Sequence, residues 1–226
     1  MATALTAWAP EIDPAIPGLP EPALQRAVRN AAIEFCQETL LWTLALDRIN
    51  VVADTKTYTL TIPPAQSGQI VLVDDVKYKV NGADDDQFRT LDPISKISEN
   101  INSSGSWQWH EATEPGYYYV EEDSNTTLIL YPIPTVASAS GLLVTPTLKP
   151  TLAATTVADF LYNQHLKAIR LGALAYLFDI DGMPWSNPQK AERNRVLFRS
   201  AINSAKWLKI TGATKRPLQV RHRRFV

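Results

Sequence analysis

Residues 157–178 read VADFLYNQHLKAIRLGALAYLF. Leu161, His165, Ala168, Ile169, Gly172 and Tyr176 recur at steps of three and four, which sets them on one helical stripe. Phe160, Leu171 and Leu174 fall elsewhere on the circumference. A helix apolar over so much of its surface must be covered on more than one side. It needs helical neighbours, and the chain offers two. Downstream, DIDGMPW (179–185) reads as a tight connection to a helix that runs from Pro188 to about Thr211. Ser186 or Asn187 caps it, Pro188 sits in its first turn and Gly212 closes it. Ala191, Phe198, Ala201, Ile202, Ala205 and Leu208 turn inward, and Lys190, Arg193, Arg199 and Lys206 outward. Upstream, Pro20 and Pro22 open a helix from Ala23 to about Leu44. Its apolar face is Leu24, Val28, Ala31, Phe35 and Trp42.

Between these helices the period changes to two. In TYTLTI (57–62), Tyr58, Leu60 and Ile62 alternate with threonines, as in a half-buried strand. A preceding strand at about 46–52 joins it through ADTK (53–56). QIVLVDDVKYKVNG (69–82) gives one strand, or two broken at Asp74–Asp75. DPISKISENI (92–101) reads as a short helix, and GYYYVEEDSNTTLILYPIP (116–134) as a hairpin turning at Glu122–Asn125. GLLVTPTLKP (141–150) adds a last short strand. Residues 1–18, with Trp8, Pro10, Pro14 and Pro17, read as an extended arm.

The expected fold is therefore α+β: a helical bundle of the N-terminal helix and the C-terminal helical hairpin, with a mostly antiparallel β domain inserted and an extended C-terminal tail. The domains are a Pro-rich arm 1–18, a helical core 19–45 and 152–211, an inserted β domain 46–151, and a basic tail 212–226. At 45% hydrophobic residues, the 226-residue chain can bury a core.

The single cysteine, Cys36, excludes an internal disulfide and reads as a small buried hydrophobe. No apolar run spans a membrane, and the first residues lack the pattern of a signal peptide, so folding in a reducing cytoplasm is expected. Net charge is −1, yet from Asn187 onward eleven Lys and Arg face one acid, Glu192. That asymmetry marks a surface that meets something negative. It culminates in GATKRPLQVRHRRFV (212–226). Lys215, Arg216, Arg221, His222, Arg223 and Arg224 can pair with carboxylates, and Leu218, Val220, Phe225 and Val226 supply apolar anchors. The mixture fits a segment that orders on a protein partner.

Chemistry is hard to find in this sequence. His110, His165 and His222 lie in three different elements, without metal-ligand spacing. The sequence has no P-loop, G-x-S-x-G, H-E-x-x-H or G-x-G-x-x-G. No catalytic residue, cofactor or metal is expected. Asp74–Asp75, Asp84–Asp86 and Glu121–Asp123 are paired acids of the kind a tail-associated peptidoglycan hydrolase would need. They sit at turns and strand ends, where acids commonly solvate and cap. A nucleic-acid binder with a basic tail is the other alternative, though no recognisable module supports it.

The element order, with AAIEFC, LYPIP, AIRLGALAYL and PWSNPQKA, resembles the head-to-tail adaptor family of short-tailed bacteriophages, also called tail tubular protein A or head-completion protein. The likeness covers residues 19–211. It implies a structural virion protein at the head–tail junction, made in the bacterial cytoplasm, that serves virus assembly and genome ejection. Its partners would be the portal ring, the tail nozzle and fibres, and its own copies in a twelve-fold ring. DNA would pass through the channel without sequence-specific binding, past acidic residues of the body. The tail Lys215–Val226 would be the portal-docking segment. Leu161, His165, Ile169, Leu171 and Tyr176 would carry subunit contacts. The β block exceeds the minimal family version and would meet the fibres, and the 1–18 arm has no counterpart in the resemblance.

Overall fold

The computed structural model describes residues 2–80, 87–94, 110–121 and 124–211. Two compact units emerge: one from the residues up to Leu41 and from Leu152 onward, the other from Trp42–Thr151. Four helices and several antiparallel sheets among the described residues make the fold α+β.

In the first unit, residues 2–18 are not the extended arm that their prolines suggest. Ala2–Ala4 form strand β1, Leu5–Trp8 a 3-10 turn, and Ala9–Ile12 the short helix α1. Pro10 falls in the first turn of α1, where its missing N–H costs nothing, and Pro14 and Pro17 come after the helix has ended. Leu5, Trp8, Ile12 and Ile16 are all buried. The Trp8 ring meets Tyr162 edge-on at 5.0 Å. The chain is pulled inward by its large apolar side chains.

Helix α2, Glu21–Thr39, starts from extended Pro20 and stops at Leu40, which adopts the left-handed conformation (φ 54°) and returns its amide to the Cys36 carbonyl at 2.9 Å. It ends short of Leu44, and Trp42 belongs to the other unit. Strand β12, Thr156–Ala158, pairs antiparallel with β1 and leads into α3, Asp159–Phe178. The Thr3 hydroxyl donates to Asp159 Oδ1 at 2.6 Å in the first turn of α3. The final helix, α4, is Pro188–Thr211, and Asn187 Oδ1 caps it by accepting from the Lys190 amide at 3.0 Å.

These helices meet at small residues. A Cβ on Gly172 of α3 would lie 2.8 Å from Ala31 Cβ in α2 and 2.9 Å from Phe198 Cζ in α4. Nothing larger than hydrogen fits at that crossing. Around it Val28, Phe35, Leu161, Ile169, Phe198 and Ile202 are buried, each contributing about 1.5–3 kcal/mol by leaving water. The breadth of the α3 apolar surface is explained: Leu161, Ala168, Ile169, Gly172 and the run Ala173–Ala175 are all buried.

The second unit holds β2 (Ile49–Val51), β3 (Thr57–Thr59), β4 (Gly68–Lys79), β5 (Phe88–Thr90), β6 (Asp92–Pro93), β7 (Glu111–Ala112), β8 (Tyr117–Val120), β9 (Thr127–Tyr131), β10 (Ile133–Pro134) and β11 (Ser138–Pro150). One sheet runs β2-β11-β4-β5 and is antiparallel throughout. Another runs β3-β9-β8-β6, with β6 parallel to β8; β7 and β10 form a separate parallel pair. The expected hairpin is present, with Tyr117–Val120 paired to Thr127–Tyr131. Strands β2 and β3, adjacent in sequence, pair instead with β11 and β9 in different sheets. Residues 69–79 make one strand rather than two. Its register slips where Thr145 faces Asp75 and Pro146 faces Val73, which leaves Asp74 as the extra residue of a bulge. The last strand is long rather than short. Pro146 sits within it because that bulge absorbs the missing N–H.

Candidate functional site

A helical surface on the first unit concentrates exposed apolar groups. Val196, Leu197, Trp207, Leu208 and Ile210 of α4 are all exposed, Trp207 at 60% and Ile210 at 70%. Val196 and Trp207, like Leu197 and Leu208, are eleven residues apart, close to three whole turns, so the side chains form two adjoining stripes. Helix α4 thus has two apolar faces. Ala191, Phe198, Ile202 and Ala205 bury one in the unit, and the other looks outward. Leu208, expected inside, is 48% exposed.

Beside the outer stripes lies a groove of about 550 Å³ between α3 and α4, lined by His165, Leu171, Leu197, Ala201 and Leu208 among others. At His165 the backbone leaves helical geometry (φ −124°, ψ 19°), interrupting α3 at the groove wall. The imidazole packs 4.8 Å from the Phe35 ring and 5.9 Å from Phe160, edge-on. That burial lowers its pKa from the ordinary histidine value.

Of the five residues for which the resemblance implied subunit contacts, Leu161 and Ile169 are fully buried within their own unit and present no surface. Leu171 lines the groove. Tyr176 is partly exposed and donates its hydroxyl to Glu34 Oε2 at 2.8 Å. Burial, then the bond to Glu34 and its charge, push the phenol up to about 12. The outer stripe with Trp207 and Ile210 went unread in the sequence, although its period was there beside the inner one.

Much of the positive charge of α4 is engaged inside the unit. Lys206 pairs with Glu38 at 2.7 Å, Lys209 Nζ donates to the Leu40 carbonyl at 2.7 Å, and Arg195 contacts Asp179 at 3.0 Å. Such exposed pairs contribute about 0–1 kcal/mol each and chiefly set where the charges sit. The basic tail residues Lys215, Arg216, Leu218, Val220, Arg221, His222, Arg223, Arg224, Phe225 and Val226 lie outside the described residues, as do the acids Asp84–Asp86 and Asp123 and positions 95–101 of the helix expected at 92–101, whose described start, Asp92–Pro93, is strand β6 instead.

Asp74 and Asp75 do structural work. Asp74 Oδ2 accepts from the Thr147 hydroxyl at 2.9 Å across the bulge, and Asp75 pairs with Lys77 at 3.3 Å. Cys36 is buried and its thiol is pushed up to about 12 by that burial. Among the described residues no cluster of three or more His, Cys, Asp or Glu could hold a metal ion. None of their helices is long and apolar enough to cross a membrane. The arrangement offers surfaces for docking.

The sequence profile of the SU10 adaptor protein family matches residues 1–222. The chain belongs to the SU10 adaptor family. No curated protein matches it in sequence. Membership makes it a bacteriophage adaptor, a structural component of the virion. The match begins at residue 1, so the N-terminal segment, which had no counterpart in the resemblance over 19–211, is part of the SU10 adaptor pattern.

Proposed function

We propose that this SU10 adaptor joins the portal to the tail. Copies associate into a ring, twelve-fold like the portal, that extends the DNA channel and presents a platform for the tail nozzle and fibres. The observation that carries this reading is the family match, which spans both helical segments, the inserted β unit and most of the basic tail. The outward stripe of Val196, Trp207 and Ile210 supports the self-association part. Five large exposed apolar side chains on one helix are more than a chain that stays alone normally tolerates. In the ring, the groove beside His165 and Leu171 receives an apolar ridge of the neighbouring copy, and Tyr176 lies near the contact.

The helical bundle of α2, α3 and α4 forms the wall of the ring, and the tail Lys215–Val226 reaches from it to the portal. Its arginines pair with portal carboxylates while Phe225 and Val226 enter apolar clefts. The β unit faces the tail machinery, and the adaptor guides DNA without catalysing a reaction.

The test is capture on purified portal rings from the same phage, comparing the full chain with one ending at Thr211. Saturable binding of twelve copies, lost on truncation, is the expected result. Equal binding by both would move the docking surface to the helices. Absence of binding by either would remove the head-to-tail reading. Trp207→Glu with Ile210→Glu should leave the monomer folded and abolish ring closure.

A further inference from the structure

Helix α3 consists of two helical segments that meet at His165, where the backbone leaves helical geometry. Different elements hold the two segments. Residues 159–164 are tied to the N-terminal strand: Asp159 Oδ1 accepts from the Thr3 hydroxyl, Tyr162 meets Trp8 edge-on, and β12, which leads into the helix, pairs with β1. Residues 166–178 are held by the other helices. Gly172 stands at the crossing with Ala31 and Phe198, and Arg170 Nε donates to the Glu11 carbonyl of α1 at 2.8 Å. The sequence around the break, Asn163–Gln164–His165–Leu166, contains no proline, glycine or serine, so its cause lies in side-chain packing.

The side chain at the break is also one that changes charge near neutrality. The imidazole lies between the Phe35 ring of α2 and the Phe160 ring of its own helix, and no hydrogen bond joins it to another described residue. On its open side is the α3–α4 groove. The surrounding charges offer an imidazolium little. On α3, Lys167 shares the groove wall and Asp159 already holds Thr3. On α2, Glu34 and Glu38 flank Phe35 but hold Tyr176 and Lys206. The α4 residues of the groove are Leu197, Ser200, Ala201, Ser204, Ala205 and Leu208, none of which is charged. Burial alone moves the His165 pKa, downward, and no neighbouring charge opposes it. A ring that reaches water takes a proton more readily than the sheltered one, so acid favours the conformation in which the ring is out.

We propose that His165 is a proton-operated hinge in the helical unit. When the imidazole takes a proton from solvent, the ring leaves the space between Phe35 and Phe160 for the adjoining groove. Residues 159–164 then open locally, while 166–178 stay packed, because moving them would undo the Gly172 crossing. The opening alters one wall of the α3–α4 groove, so acid weakens whatever seats there. That consequence for assembly rests on the ring reading. The hinge itself belongs to the single chain and is tested without portal or ring, so a failed portal capture would leave it standing, and its own failure would leave the adaptor reading intact.

Amide hydrogen exchange on the full chain reads the hinge residue by residue. An exposed imidazole with a pKa of about 6.5 favours the opened form by up to about 30-fold between about pH 7.5 and 5. Amides 163–168 have their helical acceptors in the first segment, and amides 174–178 have theirs in the second. After correction for the intrinsic pH dependence of exchange, protection at 163–168 should fall about tenfold or more on acidification, while 174–178 change by less than about twofold. His165→Gln, which keeps a polar side chain but cannot titrate, should remove the pH dependence at 163–168, with His165→Phe as a second non-titrating variant. The contrast between the two groups of amides in the unaltered chain decides the matter even where a variant folds poorly. An equal fall in both groups, no fall in either, or a fall at 163–168 that survives in His165→Gln would each overturn the proposal.

Discussion

Replacing Gly172 by alanine adds one methyl group at the crossing of three helices. In an exposed helix that change would stabilise by about 1 kcal/mol, because alanine is the better helix former. Here the new Cβ would stand 2.8 Å from Ala31 Cβ and 2.9 and 3.0 Å from two Phe198 ring carbons. Ordinary contact is about 3.5–4.0 Å, so neighbours on two helices must yield. Phe198 is only 2% exposed and Ala31 is fully buried, so neither has free space behind it. Overpacking of this kind costs about 1–3 kcal/mol. The net effect of Gly172→Ala should be a loss of up to about 2 kcal/mol, read as a lower urea midpoint in the helical circular-dichroism signal at an unchanged slope. Ala31→Gly alone should lose about 1 kcal/mol through helix propensity. Together the two should lose less than their sum, by roughly 1 kcal/mol, because the second removes the nearest clash. A Gly172→Ala protein as stable as the parent, with additive behaviour in the pair, would refute the close approach on which the account of the helical unit depends.

Cys36 should not react with a thiol reagent near neutral pH in the folded chain, and should titrate as one thiol once denatured, since burial holds it up to about 12. His165 has a folded pKa below its unfolded value of about 6.5. Its unfolded form gains a proton first as pH falls, so stability is full above about 6.5 and declines below it, until the folded pKa is passed. His165→Phe should flatten that decline in urea midpoints compared at about pH 5 and 7.5. Tyr58 Oη accepts from the Val52 amide at 3.3 Å and donates to the Thr55 carbonyl at 2.8 Å, pinning the turn around Asp54. Tyr58→Phe should cost about 1–2 kcal/mol and speed hydrogen exchange at Val52.

The long elements were legible because each carries a period and an end signal. Pro20 and Pro22 opened α2, Asn187 capped α4, and the alternation around Tyr58 marked a strand. Pairing was less legible. Nothing local tells β2 to leave β3 for β11, because partner choice is settled by residues ninety positions away. The N-terminal segment misled for a different reason: its prolines were weighed as breakers, yet Pro10 stands where a helix begins. Helix α2 ended earlier than its apolar pattern because Leu40 takes a conformation that leucine seldom adopts. At the candidate surface, one stripe of α4 was read and its neighbour overlooked, since both share a period and only burial tells them apart.

The interrupted first unit has a consequence for synthesis. Roughly 110 residues, Trp42–Thr151, separate α2 from the helices it packs against. At a translation rate of about 5–20 residues per second, the ribosome spends on the order of 5–20 s between them. By the end of that time every strand from β2 to β11 has been made, while Val28, Ala31 and Phe35 still await the two helices they pack against. The nascent chain therefore completes the inserted unit before the unit that encloses it. A chaperone or a slow-codon effect acting on this protein should be sought in that interval.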